Sequence, residues 1–392
     1  MRPLPFIRWF FLFSLSFLCG CLSYRDLVPG KTELGRRTLT VPATLVGSHL
    51  VVEGRWDRHG PWRYLVDTGS SVTLVSPEYA ERYATSKAAL APPSVRVRAS
   101  SGDSTLLPQA TVRRIGVGEA YFDNADVLVK DLSDISAHLG VKIDGILGFP
   151  LFRNAILTLD YPQSRIVLTP PHLAQPVPGT TIKFNDTRRI PLIPITVGGT
   201  TTLALIDSGS DAPLILNPYG MDLPYAVPPR SGNPVGTLAG DRVPEIGRLA
   251  VPLRIGAYAF PQPIVDLTTE LTAVGGDILR YFTVTFDQTR NQVTFSRPDM
   301  EPIQMGPVRS AGMAFEKGAT YWRVVAVVPG SPASEAGIQP GDLVTRINGE
   351  SIAQWPLQRL EPFLRRSPEV IFTFIDGARE RPMVIPTFEL VP

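Results

Sequence analysis

Cysteine is nearly absent from this chain: two among 392 residues, Cys19 and Cys21, two apart and close to the N-terminus. That excludes a disulfide scaffold, which needs pairs spread through the fold. Neither sign of charge dominates, with 38 Lys+Arg against 36 Asp+Glu, so no basic surface argues for nucleic acid as a partner. Histidine is scarce as well. His49, His59, His138 and His172 are scattered without metal-ligand spacing and read as surface or turn residues. No Gly-x-Ser-x-Gly elbow, P-loop or Gly-x-Gly-x-x-Gly occurs, so serine-hydrolase and nucleotide chemistry have no support. Nothing in the pattern calls for a cofactor or a metal.

Proline, by contrast, is abundant: 39 residues, about double the usual share, which argues against a helix-rich architecture. A hydrophobic fraction of 44% excludes bulk disorder. The length suits two to three domains, each able to bury its own core.

The one long apolar run, Trp9 to Leu18, is too short to span a bilayer as a mature helix and is preceded by Arg2 and Arg8. It fits the core of a signal peptide over residues 1–20. Leu18-Cys19-Gly20-Cys21 at its end resembles a bacterial lipobox, in which the final Cys is acylated and becomes the first mature residue. That resemblance implies lipid on Cys21 and an envelope location. Leu22 after the Cys, rather than Asp, implies the outer membrane facing the periplasm. An ordinary cleaved signal stays open as the alternative. Removing residues 1–20 takes Arg2 and Arg8 away and leaves a neutral mature chain.

Residues 21–37 read as a polar tether. From Thr38 to about Ser296, short Val/Ile/Leu/Thr runs alternate with Gly, Pro, Asn and Asp, the signature of many short strands and an all-β fold. Pro-rich stretches at Thr169–Gly179 and Arg297–Pro307 divide the chain into units expected at 38–172, 173–298 and 308–392.

The first two units repeat. Tyr64-Leu65-Val66 leads into Asp67-Thr68-Gly69-Ser70, and Ala204-Leu205-Ile206 leads into Asp207-Ser208-Gly209-Ser210. Gly102-Asp103 and Gly240-Asp241 follow, then Ile115-Gly116 and Ile255-Gly256, then Ile146-Leu147-Gly148 and Ala273-Val274-Gly275. Ile156-Leu157-Thr158-Leu159-Asp160 closes the first set as Thr283-Val284-Thr285-Phe286-Asp287 closes the second. One Asp-Thr-Gly is ordinary turn chemistry; two in register with further landmarks read as a duplication.

Each half therefore ends an apolar strand at an Asp and turns on a Gly. If the halves pack about a pseudo-twofold axis, Asp67 and Asp207 face one another. Two carboxyls that close share one proton, so one acts as general base on a water while the other donates to a scissile carbonyl oxygen. The Thr68 and Ser208 hydroxyls are expected to lock the loops across the axis, and Ser70 and Ser210 to bond the carboxylates from outside.

These loops resemble those of pepsin-type and retropepsin-type aspartic proteases over about residues 38–298. The resemblance implies catalysis by Asp67 and Asp207, with Thr68, Gly69, Ser70, Ser208, Gly209 and Ser210 in support. It also implies peptide or protein substrates and a hydrophobic-hydrophobic-Gly strand behind each loop, clean at Gly148 and less so at Gly275, where Gly276 follows. A flap is implied at Ser101, Gly102 and Asp103, though without the tyrosine of pepsin-like flaps. A protease-like fold used only for peptide binding stays open as the second reading.

Ser331-Pro332-Ala333, Ala336-Gly337, Pro340-Gly341-Asp342 and Ile347-Asn348-Gly349 resemble bacterial PDZ domains, which bind extended peptides by adding a strand. The resemblance places the peptide-binding loop at Gly312, Met313, Ala314 and Phe315, with Ala314 where Gly is usual. It places the groove helix at Trp355–Arg366, where Pro362 is expected to delay or kink it.

Overall fold

The computed structural model describes residues 27–85, 94–98, 104–232, 235–237, 240–242, 244–318, 320–355, 357–377 and 379–392. Cys21, the proposed lipid site, and Ser101, Gly102 and Asp103 of the proposed flap lie outside the described residues.

Strands dominate, as the short β-branched runs require, and the helices are few and short. In the N-terminal half, strands Leu39–Val46, His49–Gly54 and Trp62–Asp67 form an antiparallel meander. Strand Gly145–Gly148 then lies parallel to Trp62–Asp67, pairing Leu65 with Ile146, Val66 with Leu147 and Asp67 with Gly148. The second half repeats this plan. Strands Leu192–Val197 and Thr200–Ile206 form a hairpin, and Ala273–Val274 pairs parallel to the latter through Leu205–Ala273 and Ile206–Val274. Buried Val, Leu and Ile on both faces of these central strands explain the unbroken apolar runs in front of each Asp.

The halves join through one sheet. Strand Ile156–Asp160 pairs antiparallel with Thr283–Asp287, so the repeated segments lie side by side, Thr158 opposite Thr285. Their hydroxyls meet at 3.0 Å, which places the pseudo-twofold axis between these two threonines. Leu157, Leu159, Val284 and Phe286 belong to a single apolar core shared by both halves.

One landmark of the repeat is corrected. Gly118 and Gly256 both turn a hairpin at φ 57°, between Val117 and Ala120 in one half and Ile255 and Tyr258 in the other. Ile255-Gly256 thus corresponds to Val117-Gly118, not to Ile115-Gly116. Gly116 lies within a strand, where the packing of Trp56 against it, rather than a turn, calls for a small residue.

Residues of the C-terminal segment build a separate core around Trp322, Trp355, Phe372 and Phe315. Ser331 caps the helix Pro332–Glu335 by accepting from the Ser334 amide, and Gly337 follows at φ 79°. Asn348 and Gly349 both have positive φ, as a tight hairpin turn demands. The groove helix runs Leu357–Arg366 and continues through Pro362, so the proline does not delay its start. The segment does not swing free. Leu390 and Val391 of its last strand sit in the core of the two halves, beside Ile303 and Met305 of the preceding linker. Arg248, 8% exposed, spans this junction by donating to the carbonyls of Gln262, Met305 and Gly306 and to the terminal oxygen of Pro392.

Candidate active site

Asp67 stands where strand Trp62–Asp67 ends, and Asp207 immediately after Ile206 ends the equivalent strand. From the apolar residue two places before each Asp to the Ser three places after it, the burial sequence is the same in both halves. The preceding pair and the Thr/Ser are buried, while the Asp, Gly and second Ser are half-exposed. The carboxyl groups are therefore presented on a floor whose supports are dry.

Those supports cross the axis reciprocally. The Thr68 amide donates to Ser208 Oγ at 2.9 Å and the Ser208 amide to Thr68 Oγ1 at 3.1 Å. Each hydroxyl then donates onward into the other half, Thr68 to the Ile206 carbonyl at 2.6 Å and Ser208 to the Val66 carbonyl at 2.8 Å. Every hydrogen of the two hydroxyls is used, as burial requires.

The glycines explain how close the loops come. A Cβ on Gly69 would lie 2.3 Å from Asp207 Oδ1, and one on Gly209 would lie 2.3 Å from the Asp67 carboxyl carbon. Behind them, a Cβ on Gly148 would meet the Val72 carbonyl oxygen at 2.2 Å, and one on Gly275 the Ala212 carbonyl oxygen at 2.2 Å. Gly275, not Gly276, is thus the counterpart of Gly148.

The two carboxyls lie close enough for each to act on the other's titration. Burial pushes Asp67 well above the ordinary carboxylate range, and the charge of Asp207 pushes it further; the amides of Gly69 and Ser70, at 2.8 and 3.1 Å from Oδ1, pull back only in part. Burial also raises Asp207, opposed by the Gly209 amide at 3.0 Å and by the nearby His49. Both therefore hold a proton more tightly than a free carboxyl, as a pair sharing one proton does.

Two expectations change here. The Ser70 hydroxyl donates to the Val72 carbonyl at 2.7 Å, and the Ser210 hydroxyl accepts from the Ala212 amide at 3.2 Å. Both brace their own loops instead of reaching the carboxylates; only the Ser70 amide does that. His49 is not a surface residue: it is 6% exposed, with Nε2 3.1 Å from the Gly209 carbonyl oxygen and Nδ1 3.2 Å from that of Val46. Tyr161 was also missed. It is buried near both carboxyls, whose charges and whose apolar surroundings push its phenol upward, and its hydroxyl has no partner among the described residues.

Strands Ser94–Arg98 and Ser104–Val117 pair antiparallel up to Arg98 and Ser104, on either side of the proposed flap residues in the sequence. A second, shorter hairpin, Val235–Thr237 with Gly240–Arg242, holds the repeated Gly240-Asp241. In the C-terminal segment, Met313, Ala314 and Phe315 start the strand Met313–Lys317, which pairs with Trp322–Val327 at the margin of its sheet. Gly312 donates its amide to the Ser310 hydroxyl at 2.9 Å and accepts from the Val328 amide at 2.8 Å. Its own N–H is therefore spent within the loop.

Residues 52–151 match the family model described as aspartyl protease, and residues 323–373 match that of the PDZ domain. The chain carries an aspartyl protease domain and a C-terminal PDZ domain. Among solved structures, a PDZ domain protein from Parabacteroides distasonis is similar at 16% identity over 21% of this chain, with a TM-score of 0.19. The chain spans about a fifth of that protein, 21% of its length. No curated protein matches the chain.

Proposed function

We propose that the chain is a membrane-anchored aspartic endopeptidase whose nucleophile is a water activated by the Asp67/Asp207 pair. The observation that carries this is the reciprocal Thr68–Ser208 brace, which holds two neighbouring carboxyls, both raised by burial, on one floor. In this reading Asp207 takes a proton from the water as its oxygen attacks the peptide carbonyl carbon. Asp67 gives its proton to the carbonyl oxygen, forming a tetrahedral diol. Collapse of the diol breaks the C–N bond: Asp207 gives its proton to the amine nitrogen while Asp67 takes one from a diol hydroxyl, so the acid product forms and the pair returns to one shared proton. The hairpin joined through Ser101, Gly102 and Asp103 closes over the substrate as the flap.

The PDZ domain offers the strand Met313–Lys317 to an extended peptide, either recruiting substrate or governing access to the pair. Lipid on Cys21 would hold the neutral mature chain at the envelope, on the periplasmic face of the outer membrane.

The test is digestion of an unfolded protein from pH 4 to 7 by wild type and by Asp67→Asn, with and without pepstatin. Cleavage by wild type that falls about a thousandfold or more in the variant is expected. Equal rates would overturn the role of the pair, and no cleavage at any pH would leave a peptide-binding protein.

A further inference from the structure

The duplication makes a testable statement about symmetry: whatever flanks Asp67 should have a counterpart at Asp207. At the residue level with each carboxyl on the neighbouring strand it does not. Val51 pairs with Leu65, so His49, two residues earlier, stands at the level of Asp67. Leu192 pairs with Leu205, so Ile190, two residues earlier, stands at the level of Asp207. The pseudo-twofold axis therefore relates a histidine to an isoleucine, both buried.

His49 reaches across the axis. Its Nε2 meets the carbonyl of Gly209, whose own amide donates to Asp207 Oδ1. Its other nitrogen meets the Val46 carbonyl. Both partners are acceptors only, and a neutral imidazole carries a single N–H; only the doubly protonated ring donates to both. Among the described residues the ionisable groups around it are Asp207, Asp67, Tyr161, Asp211 and Asp277, the last beside Arg280 at 3.3 Å and Arg365 at 3.9 Å. Asp207 and Asp67 lie on the floor and Tyr161 is buried close to both. Asp211 approaches from the loop after Ser210: the Cβ position on Gly47 lies 3.9 Å from His49 Nδ1 and 4.0 Å from Asp211 Oδ2. Asp277 follows Gly276, against which Ser48 packs.

We propose that His49 is the positioning residue that makes the two carboxyls unequal, its charged ring gripping the Asp207 loop and favouring the anion on that side. This rests on the peptidase reading above and deepens it: it names the group that decides which aspartate starts as base. Asp67 has two amide donors against one for Asp207, so the imidazole stands on the side that has fewer donors.

Three variants separate charge from shape. His49→Ile copies the partner position, and His49→Gln keeps an N–H for Gly209 without the charge. In both, kcat/KM at pH 4 relative to pH 6 should fall about tenfold, because losing a nearby cation moves the acid limb to higher pH. His49→Gln should keep the wild-type Tm, so that the pH profile and not folding carries the effect. A wild-type pH profile in His49→Gln would overturn the proposal. The third variant needs no activity. With only four histidines, the His49 ring can be followed by NMR, and by reciprocity its titration midpoint should move down in Asp207→Asn. An unmoved midpoint would overturn the proposal even if no peptide is ever cleaved. A moved midpoint with no cleavage by wild type would uphold the pairing and remove only the peptidase reading.

Discussion

Thr68 and Ser208 each accept the other's backbone amide, at 3.1 and 2.9 Å, and each passes its own hydrogen to a carbonyl in the opposite half. The pair is a closed network of four bonds between buried groups. Thr68→Val preserves shape but leaves the Ser208 amide and the Ile206 carbonyl without partners. It should lower stability by about 2–4 kcal/mol in urea unfolding, against less than about 1 kcal/mol for Thr68→Ser. Because the bonds are shared, Thr68→Val and Ser208→Ala should cost less together than the sum of the two alone.

Stability should also depend on pH in a direction set by the carboxyl pair. Burial raises both groups in the folded state, Asp67 the more. Their folded-state affinity for protons exceeds the unfolded one, so what they contribute is fully present below the ordinary carboxylate range, near pH 3.9, and is lost as pH rises through the folded values. At pH 7 the chain carries an anion it would rather have protonated. Asp67→Asn removes that burden. The variant should be more stable than wild type at pH 7 and should converge with it near pH 3, as read from urea midpoints at each pH. The reverse order at pH 7 would contradict a buried shared proton.

The glycines around the site fall into two classes. At Gly148 an added methyl would press on the Val72 carbonyl at 2.2 Å, backbone on backbone, with nothing flexible to yield. Gly148→Ala should cost about 1–3 kcal/mol or more and lower Tm. At Gly69 the methyl would instead press on the Asp207 carboxyl at 2.3 Å. That group can rotate away, so Gly69→Ala should keep most of its stability but lose about a hundredfold in kcat/KM as the reacting atoms are displaced. Measuring Tm and rate on both variants distinguishes a packing glycine from one that makes room for the second carboxyl.

The sequence revealed most where a residue type has only one use. Asp-Thr-Gly-Ser and Asp-Ser-Gly-Ser in register predicted the paired carboxyls, and Asn348-Gly349 predicted a hairpin turn. It revealed least where a role depends on what lies across an interface. His49 reads as a surface or turn residue because the four histidines are scattered without metal-ligand spacing, and nothing local shows that it meets a loop 160 residues away. Counting hairpin register back from Asp67 would have placed His49 level with the carboxyl, but not in contact with Gly209. The Ser70 and Ser210 hydroxyls were misassigned for a related reason. A serine after a turn glycine has its own loop's backbone within reach, and that short-range bond wins over a carboxylate already served by amides. Pro362 was overweighted because its cost inside a helix is opposed here by packing of Leu360 and Leu364 in the PDZ core.

Arg248 makes a final prediction about how the PDZ domain is held. Its guanidinium is buried and donates to four backbone oxygens: the carbonyls of Met305 and Gly306 in the linker, that of Gln262, and the terminal oxygen of Pro392. Burial disfavours the charge, and bonds to all four oxygens offset that cost at a junction where Leu390 and Val391 enter the core of the two halves. Arg248→Met fills similar space but strands those oxygens, and should cost about 2–4 kcal/mol. The loss should be local: strand Phe388–Val391 should exchange its amides faster, and a single thermal transition should split into separate PDZ and peptidase steps by calorimetry. One unchanged transition would show that the apolar contacts of Leu390 and Val391 suffice to couple the domains without the arginine.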